Sequence, residues 1–246
     1  IANSKFPYQF LMENMQIQNN LINGALKYEV DKFIFLGSSC IYPKFSSQPL
    51  KEEYLLTDSL EPTNEFYAIA KIAGVKTCQA IRKQFNKDYV SLMPTNLYGT
   101  NDNFDLETSH VLPAMLRKFH EAKLNGHSRV TLWGSGKPMR EFLFVDDMAH
   151  AVLHSIENIL PEHLYNIGTG KDITIKELAE TIQKIIGHKG EIFWDSSKPD
   201  GTPRKIMDVS KIAERGWQYK TELNDGIAIT YNWFLKNVEN IKELKM

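Results

Sequence analysis

The sequence predicts an α/β fold built on a mainly parallel β-sheet. Two short segments, Lys32–Ser39 and Tyr89–Met93, carry runs of apolar residues without polar alternation. Such runs are typical of parallel strands that are covered on both faces. Residues 7–28 and 65–85 carry apolar side chains at helical spacing. Strands that alternate with helices of this length indicate βαβ units.

Shorter elements follow in the second half of the chain. We predict a helix over 109–123, strands over 130–133, 141–145 and 191–194, a helix reaching Asn158, and a last amphipathic helix over 226–236. Asp146 or Asp147 is expected to cap the helix that reaches Asn158. Thr174 and Glu177 have the spacing of a capping box for a helix ending at Ile186, where Gly187 would stop it.

Composition limits the classes of function. The chain has 246 residues, 42% of them hydrophobic, and a formal net charge of −1. This profile predicts a globular protein without the basic field that nucleic acid or an anionic membrane would attract. No apolar stretch is long enough to span a bilayer. Two cysteines, Cys40 and Cys78, are too few for a disulfide framework, which favours a reducing compartment such as the cytoplasm.

Tyr67 and Lys71 form the first candidate catalytic pair. They lie four residues apart in a predicted helix, so both side chains can point to one spot. An ammonium beside a phenol is expected to lower the phenol pKa and make it a usable proton donor. A second pair with this spacing, Tyr28 and Lys32, straddles a predicted helix end and strand start. Only the first pair therefore shares a helical face, and it follows a strand that ends in Ser38.

Several longer blocks extend this pattern. They are Leu36–Pro43, Glu61–Lys71, Met93–Gly99, Trp133–Gly136, Met139–Phe142 and Lys198–Lys205. The serine and the Tyr-x-x-x-Lys pair resemble the extended short-chain dehydrogenase/reductase superfamily. Within it the blocks closely resemble the GDP-L-fucose synthases, almost from end to end. The resemblance implies a Rossmann-like, doubly wound parallel sheet with a smaller C-terminal α/β lobe for the substrate.

The resemblance also implies two reactions on one sugar nucleotide, GDP-4-keto-6-deoxy-D-mannose. Epimerisation at two carbons beside a keto group needs a base and an acid, and these roles fall on Cys40 and His110. A thiolate can remove the proton and a histidine can return it. Reduction of the keto group by NADPH would then use Ser38, Tyr67 and Lys71. Cys78 falls in register with Ala70, Ala73, Gly74, Thr77 and Ile81, which predicts a core residue instead.

Binding residues are carried over in the same way. The cofactor contacts implied by the resemblance are Leu36, Gly37, Ser38, Ser39, Lys71, Pro94, Thr95, Asn96, Leu97 and His110. The substrate contacts implied are Lys118, Trp133, Arg140, Asp200 and Lys205. Arg117 could share the task of Lys118, because the family more often has arginine at that position. The other histidines are expected to be structural, and no His/Cys spacing suggests a metal.

The resemblance predicts a division of the chain. Residues 1–105, with part of 130–160, would be the remainder of an NADP-binding domain, and 106–129 with 161–246 the substrate lobe. No glycine-rich dinucleotide turn occurs near Ile1, so we expect the first strands of the sheet to be missing and NADP binding by this chain to be poor. NADP rather than NAD follows from the family alone. Helices 7–28 and 65–85 are expected to pair in a homodimer.

Three alternatives stay open at this point. A nucleotide-sugar 4-epimerase of the same superfamily would not need Cys40 together with His110. A 4,6-dehydratase would carry an acidic pair where this chain has Ser39 and Cys40. A chain that only assembles, without activity, would have no reason to keep all five candidate catalytic residues.

Overall fold

The computed structural model describes residues 2–243. The helices in this range are α1 (Ala2–Lys5), α2 (Pro7–Lys27), α3 (Glu65–Phe85), α4 (Val111–Leu124), α5 (Val145–Glu157), α6 (Ile175–Ile186), α7 (Ser210–Ala213) and α8 (Leu223–Glu243). The strands are β1 (Lys32–Leu36), β2 (Asp88–Pro94), β3 (Asn96–Tyr98), β4 (Arg129–Trp133), β5 (Met139–Phe144), β6 (Leu164–Ile167), β7 (Asp172–Thr174), β8 (Glu191–Asp195) and β9 (Arg204–Lys205). The protein is therefore an α/β protein, as predicted.

The chain forms two compact units that interleave along the sequence. The first unit comprises residues 1–96, 147–170 and 206–219. The second comprises residues 97–146, 171–205 and 220–246. No helix in the described range is both long enough and apolar enough to cross a membrane.

The first unit is built on a three-stranded parallel sheet in the order β1-β2-β6. The central strand β2 is buried over Tyr89–Met93, as its apolar run predicts. Helices α2 and α3 pack side by side, and the Gln18 amide donates a 2.7 Å hydrogen bond to the Ala70 carbonyl. The buried core of this unit includes Ile22, Phe35, Val75 and Leu164.

Strand β1 differs from the prediction of a strand covered on both faces. Only Phe35 of its five residues is buried, and Leu36 is 45% exposed. Within the described residues β1 pairs with β2 alone, so it is an edge strand. The unbroken apolar run therefore predicted the strand correctly and its burial wrongly.

The second unit contains a mixed sheet and a two-stranded sheet. Strand β5 lies between β3 and β7, runs antiparallel to β7 and pairs in parallel with β9. Strands β4 and β8 form a separate parallel pair. Helices α4, α6 and α8 supply most of the buried core of this unit, including Leu116, Ile182 and Phe234. Both units therefore carry parallel pairs, but the sheet of the second unit is mixed.

Capping residues set the boundaries of helix α6, and helix α5 begins earlier than predicted. The capping box is confirmed, since the Thr174 hydroxyl accepts from the Glu177 amide and the Glu177 carboxylate accepts from the Thr174 amide. Gly187 ends α6 in the left-handed conformation with φ of 76°, also as predicted. Helix α5 instead begins at Val145, which places Asp146 and Asp147 inside its first turn rather than at its cap.

Candidate active-site residues in two units

A short turn after β1 carries Ser38 and Cys40 in the first unit. Residues Ser39–Ile41 form a single 3-10 turn, and Ser38 precedes it in an extended conformation. The Ser38 hydroxyl accepts a hydrogen bond from the Cys40 amide at 3.3 Å, because a serine side chain can satisfy the free amide at a helix start. Cys40 is 8% exposed. The turn therefore holds a serine and a thiol at the carboxyl end of a parallel strand.

Helix α3 presents Tyr67 and Lys71 on one face, as their spacing predicts. The Lys71 Nζ lies 5.7 Å from the centroid of the Tyr67 ring and 5.2 Å from that of Phe35. It also donates a 3.0 Å hydrogen bond to the Leu36 carbonyl. The Phe10 ring of α2 meets the Tyr67 ring edge-on at 6.2 Å. Lys71 is thus fixed between strand β1 and the face of the tyrosine.

The electrostatics of this pair differ from the sequence-based expectation. Burial, and to a smaller extent the charge of Cys40, raise the pKa of Tyr67 to about 12, although a hydrogen bond to the Ser38 side chain acts in the opposite direction. The predicted lowering of this pKa is wrong for this structure, because burial of the phenol is the largest effect. The pKa of Lys71 is itself lowered by burial, an effect that the charge of Cys40 opposes.

The two cysteines have different surroundings. Cys78 is 0% exposed in the core of the first unit, and burial raises its pKa to about 12. Its prediction as a core residue is confirmed. Cys40 instead lies close enough to Tyr67 and Lys71 for its charge to raise the pKa of both. Cys40 is therefore placed beside the candidate catalytic pair, whereas Cys78 acts on the pKa of the core residue Tyr89.

The predicted cofactor contacts of the first unit gather at neighbouring strand ends. Strand β1 ends at Leu36, and Gly37 and Ser39 follow it. The Gly37 amide donates a 2.9 Å hydrogen bond to the Leu92 carbonyl of β2. Pro94 ends β2, Asn96 begins β3, and the intervening Thr95 amide bonds to the Ile167 carbonyl at 2.9 Å. Carboxyl ends of parallel strands are where open α/β sheets bind ligands.

The donor set at these strand ends fits a ribose. The Lys71 ammonium carries three N–H donors, and one of them bonds to the Leu36 carbonyl. The Tyr67 and Ser38 hydroxyls can each donate and accept. Vicinal sugar hydroxyls need donors and acceptors of this kind, so these residues fit the nicotinamide ribose of a dinucleotide. Leu97 and His110 of the predicted cofactor set belong to the second unit.

His110 stands immediately before α4 in the second unit. It occupies the N-cap position in an extended conformation and makes no side-chain capping bond. Burial raises the pKa of Asp102, and the charge of His110 opposes this rise. His110 is exposed and lies close enough to the Asp102 carboxyl group for its charge to act on that group.

Trp133 forms the centre of a cationic surface in the second unit. It ends strand β4 with 60% of its surface exposed. The Lys118 Nζ lies 5.9 Å from its ring centroid and the Lys198 Nζ lies 5.6 Å away. Lys118 also donates to the Thr131 carbonyl at 3.4 Å, and burial lowers its pKa. Two ammonium groups on one exposed indole form an environment that suits an anion.

Asp200 is held beside this surface by the turn after β4. Its carboxylate accepts hydrogen bonds from the Ser135 amide at 2.8 Å and the Ser135 hydroxyl at 2.6 Å. These bonds lower the pKa of Asp200. Gly134 has φ of +79°, and a Cβ there would lie 2.4 Å from the Asp200 carboxylate oxygen. The turn needs glycine at this position both for its backbone and for the close approach of Asp200.

Arg140 and Lys205 lie opposite each other on neighbouring strands. They are register partners in the parallel pair of β5 and β9. The Arg140 guanidinium donates to the Met139 carbonyl at 2.7 Å, and burial lowers its pKa. A Cβ at Gly201 would lie 3.0 Å from the same guanidinium. Arg140 therefore faces the loop that carries Asp200.

Arg117 does not share the position of its neighbour Lys118. Its guanidinium pairs with Glu121 at 2.7 Å and donates to the Phe104 carbonyl at 3.1 Å. It lines a different cavity of about 830 Å³, together with Asp102 and Trp233. Adjacent residues on a helix point in directions about 100° apart, so only one of the two can lie over Trp133.

The structure adds functional candidates that the sequence alone did not single out. Ser135 and Lys198 join the substrate candidates through Asp200 and Trp133. Both lie inside blocks that carried the family resemblance, which was the available signal. Tyr42, Glu52 and Asn166 form a buried polar group next to the Ser38–Cys40 turn. No spacing in the sequence indicated that contact.

The remaining histidines make structural contacts or lie at the surface. His120 is 6% exposed and bonds to the Tyr231 hydroxyl at 3.0 Å, and His188 bonds to the His127 carbonyl at 2.9 Å. His154 bonds to the Arg215 carbonyl at 2.9 Å. Among the residues that the structure describes, no three or more His, Cys, Asp or Glu side chains gather in a way that could hold a metal ion.

The serine, tyrosine and lysine at the strand end define a class of protein. The profile of the NAD dependent epimerase/dehydratase family matches residues 1–168, and the chain belongs to this family.

Comparison with individual proteins shows which members of the family the chain resembles. The chain is 56% identical over 239 residues to GDP-L-fucose synthase 1 of Arabidopsis thaliana, covering 97% of this chain and 74% of that protein. It is 51% identical over 252 residues to the GDP-L-fucose synthase of Escherichia coli (strain K12), covering 98% and 78%. A crystal structure of a GDP-L-fucose synthetase from Naegleria fowleri bound to NADP matches with a TM-score of 0.89 at 30% identity, covering 95% of this chain and 75% of that one. The predicted resemblance to GDP-L-fucose synthases is confirmed.

Proposed function

We propose that this protein is an NADPH-dependent enzyme that converts GDP-4-keto-6-deoxy-D-mannose into GDP-L-fucose. The reaction comprises epimerisation at C3 and C5 followed by reduction at C4. The similar proteins from Arabidopsis thaliana and Escherichia coli are GDP-L-fucose synthases. The observation that carries the proposal is the thiol of Cys40 beside Tyr67 and Lys71 at the end of β1. A reductase needs the last two residues, and the thiol adds a base.

Epimerisation requires removal of a proton from a carbon beside the keto group. In the proposal the Cys40 thiolate takes this proton, and the electron pair moves onto the keto oxygen as an enolate. A hydroxyl donor such as Tyr67 stabilises that oxygen while the charge develops. His110 then returns a proton to the opposite face of the same carbon, and the keto group re-forms. Cys40 then releases its proton to solvent and His110 takes one up, after which the same sequence at the second carbon completes the double inversion.

Reduction uses the same hydroxyl in a different role. NADPH, when bound, supplies a hydride to C4 of the sugar. The Tyr67 hydroxyl gives its proton to the C4 oxygen, which becomes an alcohol. The raised pKa of Tyr67 keeps this hydroxyl protonated at neutral pH. The ammonium of Lys71 lies near the phenolate that is left behind, and its charge stabilises that anion.

Binding of the sugar nucleotide falls to the second unit in this proposal. The diphosphate of the substrate carries negative charge, and Lys118, Arg140 and Lys205 supply the opposite charge. Trp133 offers an exposed apolar face and Asp200 a fixed hydrogen-bond acceptor. We propose the first unit as the cofactor-binding part, and the sequence-based boundaries of the two domains stay a prediction.

The proposal includes a cytoplasmic homodimer built on α2 and α3. Both helices expose large apolar side chains, with Tyr8, Ile17 and Leu21 on α2 and Phe66 and Ile69 on α3 each at least 41% exposed. A second copy would cover such a surface. Replacing Ile17 and Leu21 by glutamate is expected to give a monomer in light scattering, and an unchanged mass would contradict the dimer.

The alternative as a 4,6-dehydratase has less support. Ser39 and Cys40 occupy the turn where an acidic pair would be needed, and both are buried. Elimination of water from the sugar has no carboxylic acid to assist it at this turn. No feature of the described residues favours a 4-epimerase over the proposed reaction.

Turnover of one defined substrate tests the proposed function. The protein is incubated with GDP-4-keto-6-deoxy-D-mannose and NADPH in deuterated water, and NADPH oxidation is followed by absorbance. We expect one NADPH consumed per GDP-L-fucose formed, with deuterium at C3 and C5. Product without deuterium would contradict the proposed epimerisation. An absence of NADPH oxidation would contradict the proposed function as a whole.

A further inference from the structure

We propose that Tyr42, Asn166 and Glu52 form a buried anchor that positions Cys40 for proton removal. This inference rests on the proposed function, because it assigns a purpose to the position of the thiol. The three residues are called the Tyr42 anchor below. They act through the turn that carries Cys40, so they are positioning residues.

Tyr42 follows the Ser39–Ile41 turn directly and ends it. It is 3% exposed, and its hydroxyl donates a 2.5 Å hydrogen bond to the Asn166 Oδ1. Asn166 lies on β6 and is 0% exposed. The two residues are 124 positions apart in the chain. A single side-chain contact therefore ties the end of the Cys40 turn to a buried residue of strand β6.

Asn166 is held in place by several hydrogen bonds, so it cannot move with the turn. Its Nδ2 donates to the Leu50 carbonyl at 2.9 Å and the Asp208 carbonyl at 3.1 Å. Its backbone amide donates to the Glu52 carboxylate at 2.9 Å. Both side-chain donors and the side-chain oxygen of the amide are therefore engaged. A fully satisfied buried network is rigid, because any displacement leaves a polar atom without a partner.

Glu52 closes the network towards the surface. It is 7% exposed, and its carboxylate forms an ion pair with Lys211 at 3.3 Å. A buried carboxylate is costly unless it is paired, so the bonds to Lys211 and Asn166 hold it in place. Lys211 itself is 39% exposed at the side chain. A change at Lys211 therefore acts on the network through the buried Glu52 carboxylate.

The position of the turn matters because proton transfer depends steeply on distance. A displacement of about 1 Å can cost about a hundredfold in rate. A further side-chain contact of the turn is the 3.3 Å bond between the Ser38 hydroxyl and the Cys40 amide, which is long for a hydrogen bond. The Tyr42 anchor holds the opposite end with a shorter bond. Loss of the Tyr42 hydroxyl would therefore remove the shorter of these two bonds.

Packing alone does not require a tyrosine at this position. Phenylalanine would fill the same volume, and the extra hydroxyl is stabilising only if it is bonded. Tyr165 provides the matched comparison, because it is 0% exposed and precedes Asn166 on β6. Its hydroxyl accepts a hydrogen bond from the Glu162 amide at 3.0 Å, in the loop before the strand. Tyr165→Phe therefore removes a buried hydroxyl of the same kind that makes no contact with Asn166.

Alkylation of Cys40 tests the anchor without any need for activity. The wild type, Tyr42→Phe and Tyr165→Phe are treated with iodoacetamide at pH 9.5, and modification of Cys40 and Cys78 is followed by peptide mass spectrometry. We expect Cys40 in Tyr42→Phe to react about tenfold faster than in the wild type, since loss of one buried hydrogen bond favours local opening by about that factor. Cys78 should keep its rate, and Tyr165→Phe should leave both rates unchanged.

Cys78 serves as the internal reference for global unfolding. Equal acceleration of Cys40 and Cys78 in Tyr42→Phe would overturn the inference, because the hydroxyl would then stabilise the whole unit. An unchanged Cys40 rate would overturn it as well. Lys211→Met gives a second variant at the exposed end of the network. It should raise the Cys40 rate at least as much as Tyr42→Phe does, because it leaves the buried Glu52 carboxylate without its ion pair, while the Cys78 rate should change less.

Kinetics separate this inference from the proposed function. In Tyr42→Phe we expect the kcat for deuterium incorporation at C3 and C5 to fall about tenfold to a hundredfold, with the substrate KM unchanged. A purely structural hydroxyl would lower stability and leave this kcat in place, which would contradict the anchor. If the wild type incorporates no deuterium, the proposed function fails, and the alkylation rates still decide whether the anchor positions Cys40.

Discussion

Cys40 of the first unit is enclosed, whereas His110, Trp133 and Asp200 of the second unit are exposed to solvent. Cys40 is 8% exposed, and burial is the largest cause of the pKa changes at Tyr67 and Lys71. Trp133 is 60% exposed and carries two ammonium groups near its ring. Proton transfer is favoured in a site with little water, because electrostatic interactions between charges are stronger there. Capture of a charged nucleotide gains from accessible cations.

The comparison predicts different consequences for substitutions in the two units. A change in the first unit should lower the rate of a chemical step at nearly constant substrate affinity. A change at the substrate contacts Lys118 and Trp133 of the second unit should weaken binding and leave the chemical steps nearly intact, whereas His110 of the same unit is the proposed acid for epimerisation. This separation follows from the distinction between interactions made only in the transition state and those made throughout.

The largest effect is expected for the Tyr67 hydroxyl. Tyr67→Phe should lower the kcat for NADPH oxidation about a thousandfold with little change in substrate KM, because a positioned proton donor is lost. Tyr28→Phe is the control, since the other Tyr-x-x-x-Lys tyrosine is 76% exposed at the end of α2. Stopped-flow absorbance measures the step. A Tyr67→Phe variant with a kcat close to that of the wild type would contradict the role of Tyr67 as proton donor.

The next effect separates epimerisation from reduction. Cys40→Ser should slow deuterium incorporation at C3 and C5 about a hundredfold, because a serine hydroxyl is a much weaker base than a thiolate. Reduction of a substrate that is already epimerised should proceed at nearly the wild-type rate. Proton NMR measures both.

Cys78→Ala is the control for loss of a thiol in the same unit. It should leave the exchange rate unchanged, because Cys78 is buried in the core. Equal loss of exchange and reduction in Cys40→Ser would mean that the thiol supports the fold of the site rather than the epimerisation.

A smaller effect is expected in the second unit. Lys118→Ala should raise the substrate KM about tenfold and leave kcat within about twofold, because it removes one cation from the surface around Trp133. Raising the salt concentration should weaken binding less in this variant than in the wild type. Arg117→Ala is the matched control, since its guanidinium pairs with Glu121 instead. An increase in KM for Arg117→Ala alone would reverse this assignment.

The smallest effect concerns stability at alkaline pH. Burial raises the pKa of Cys78 from 9.0 to about 12, so the unfolded chain loses this proton first. Stability from the buried thiol is therefore complete below pH 9 and is lost as the pH rises towards 12. The wild type should lose about 1.4 kcal/mol more unfolding free energy between pH 8 and pH 10 than Cys78→Ala does.

Urea unfolding at both pH values provides this measurement. Tyr67 is common to both proteins and its contribution cancels in the comparison. The charge of Cys78 is one cause of the raised pKa of Tyr89, so the Tyr89 part of the difference also reports the loss of this thiol. Parallel pH dependences of wild type and Cys78→Ala would show that the thiol contributes nothing to the alkaline loss.

The sequence by itself determined the elements and much of the local chemistry. The periodicity of 7–28 and 65–85 predicted α2 and α3 to within a residue or two, because helical spacing of apolar side chains is a local signal. The capping box of Thr174 and the left-handed Gly187 were equally readable, since both depend on neighbours within a few positions. The spacing of Tyr67 and Lys71 placed them correctly on one helical face.

Only the tertiary structure decided how these groups are used. The direction of the Lys71 ammonium depends on the Leu36 carbonyl, 35 positions away. The sequence-based expectation for the Tyr67 pKa was wrong because burial of the phenol, which tertiary packing sets, is the largest effect on that pKa. The bond between Ser135 and Asp200 spans 65 positions, and that between Tyr42 and Asn166 spans 124. Such contacts are fixed by packing of distant segments rather than by local spacing. A sequence pattern can therefore identify the reacting residues, while the fold sets their burial, their partners and their pKa values.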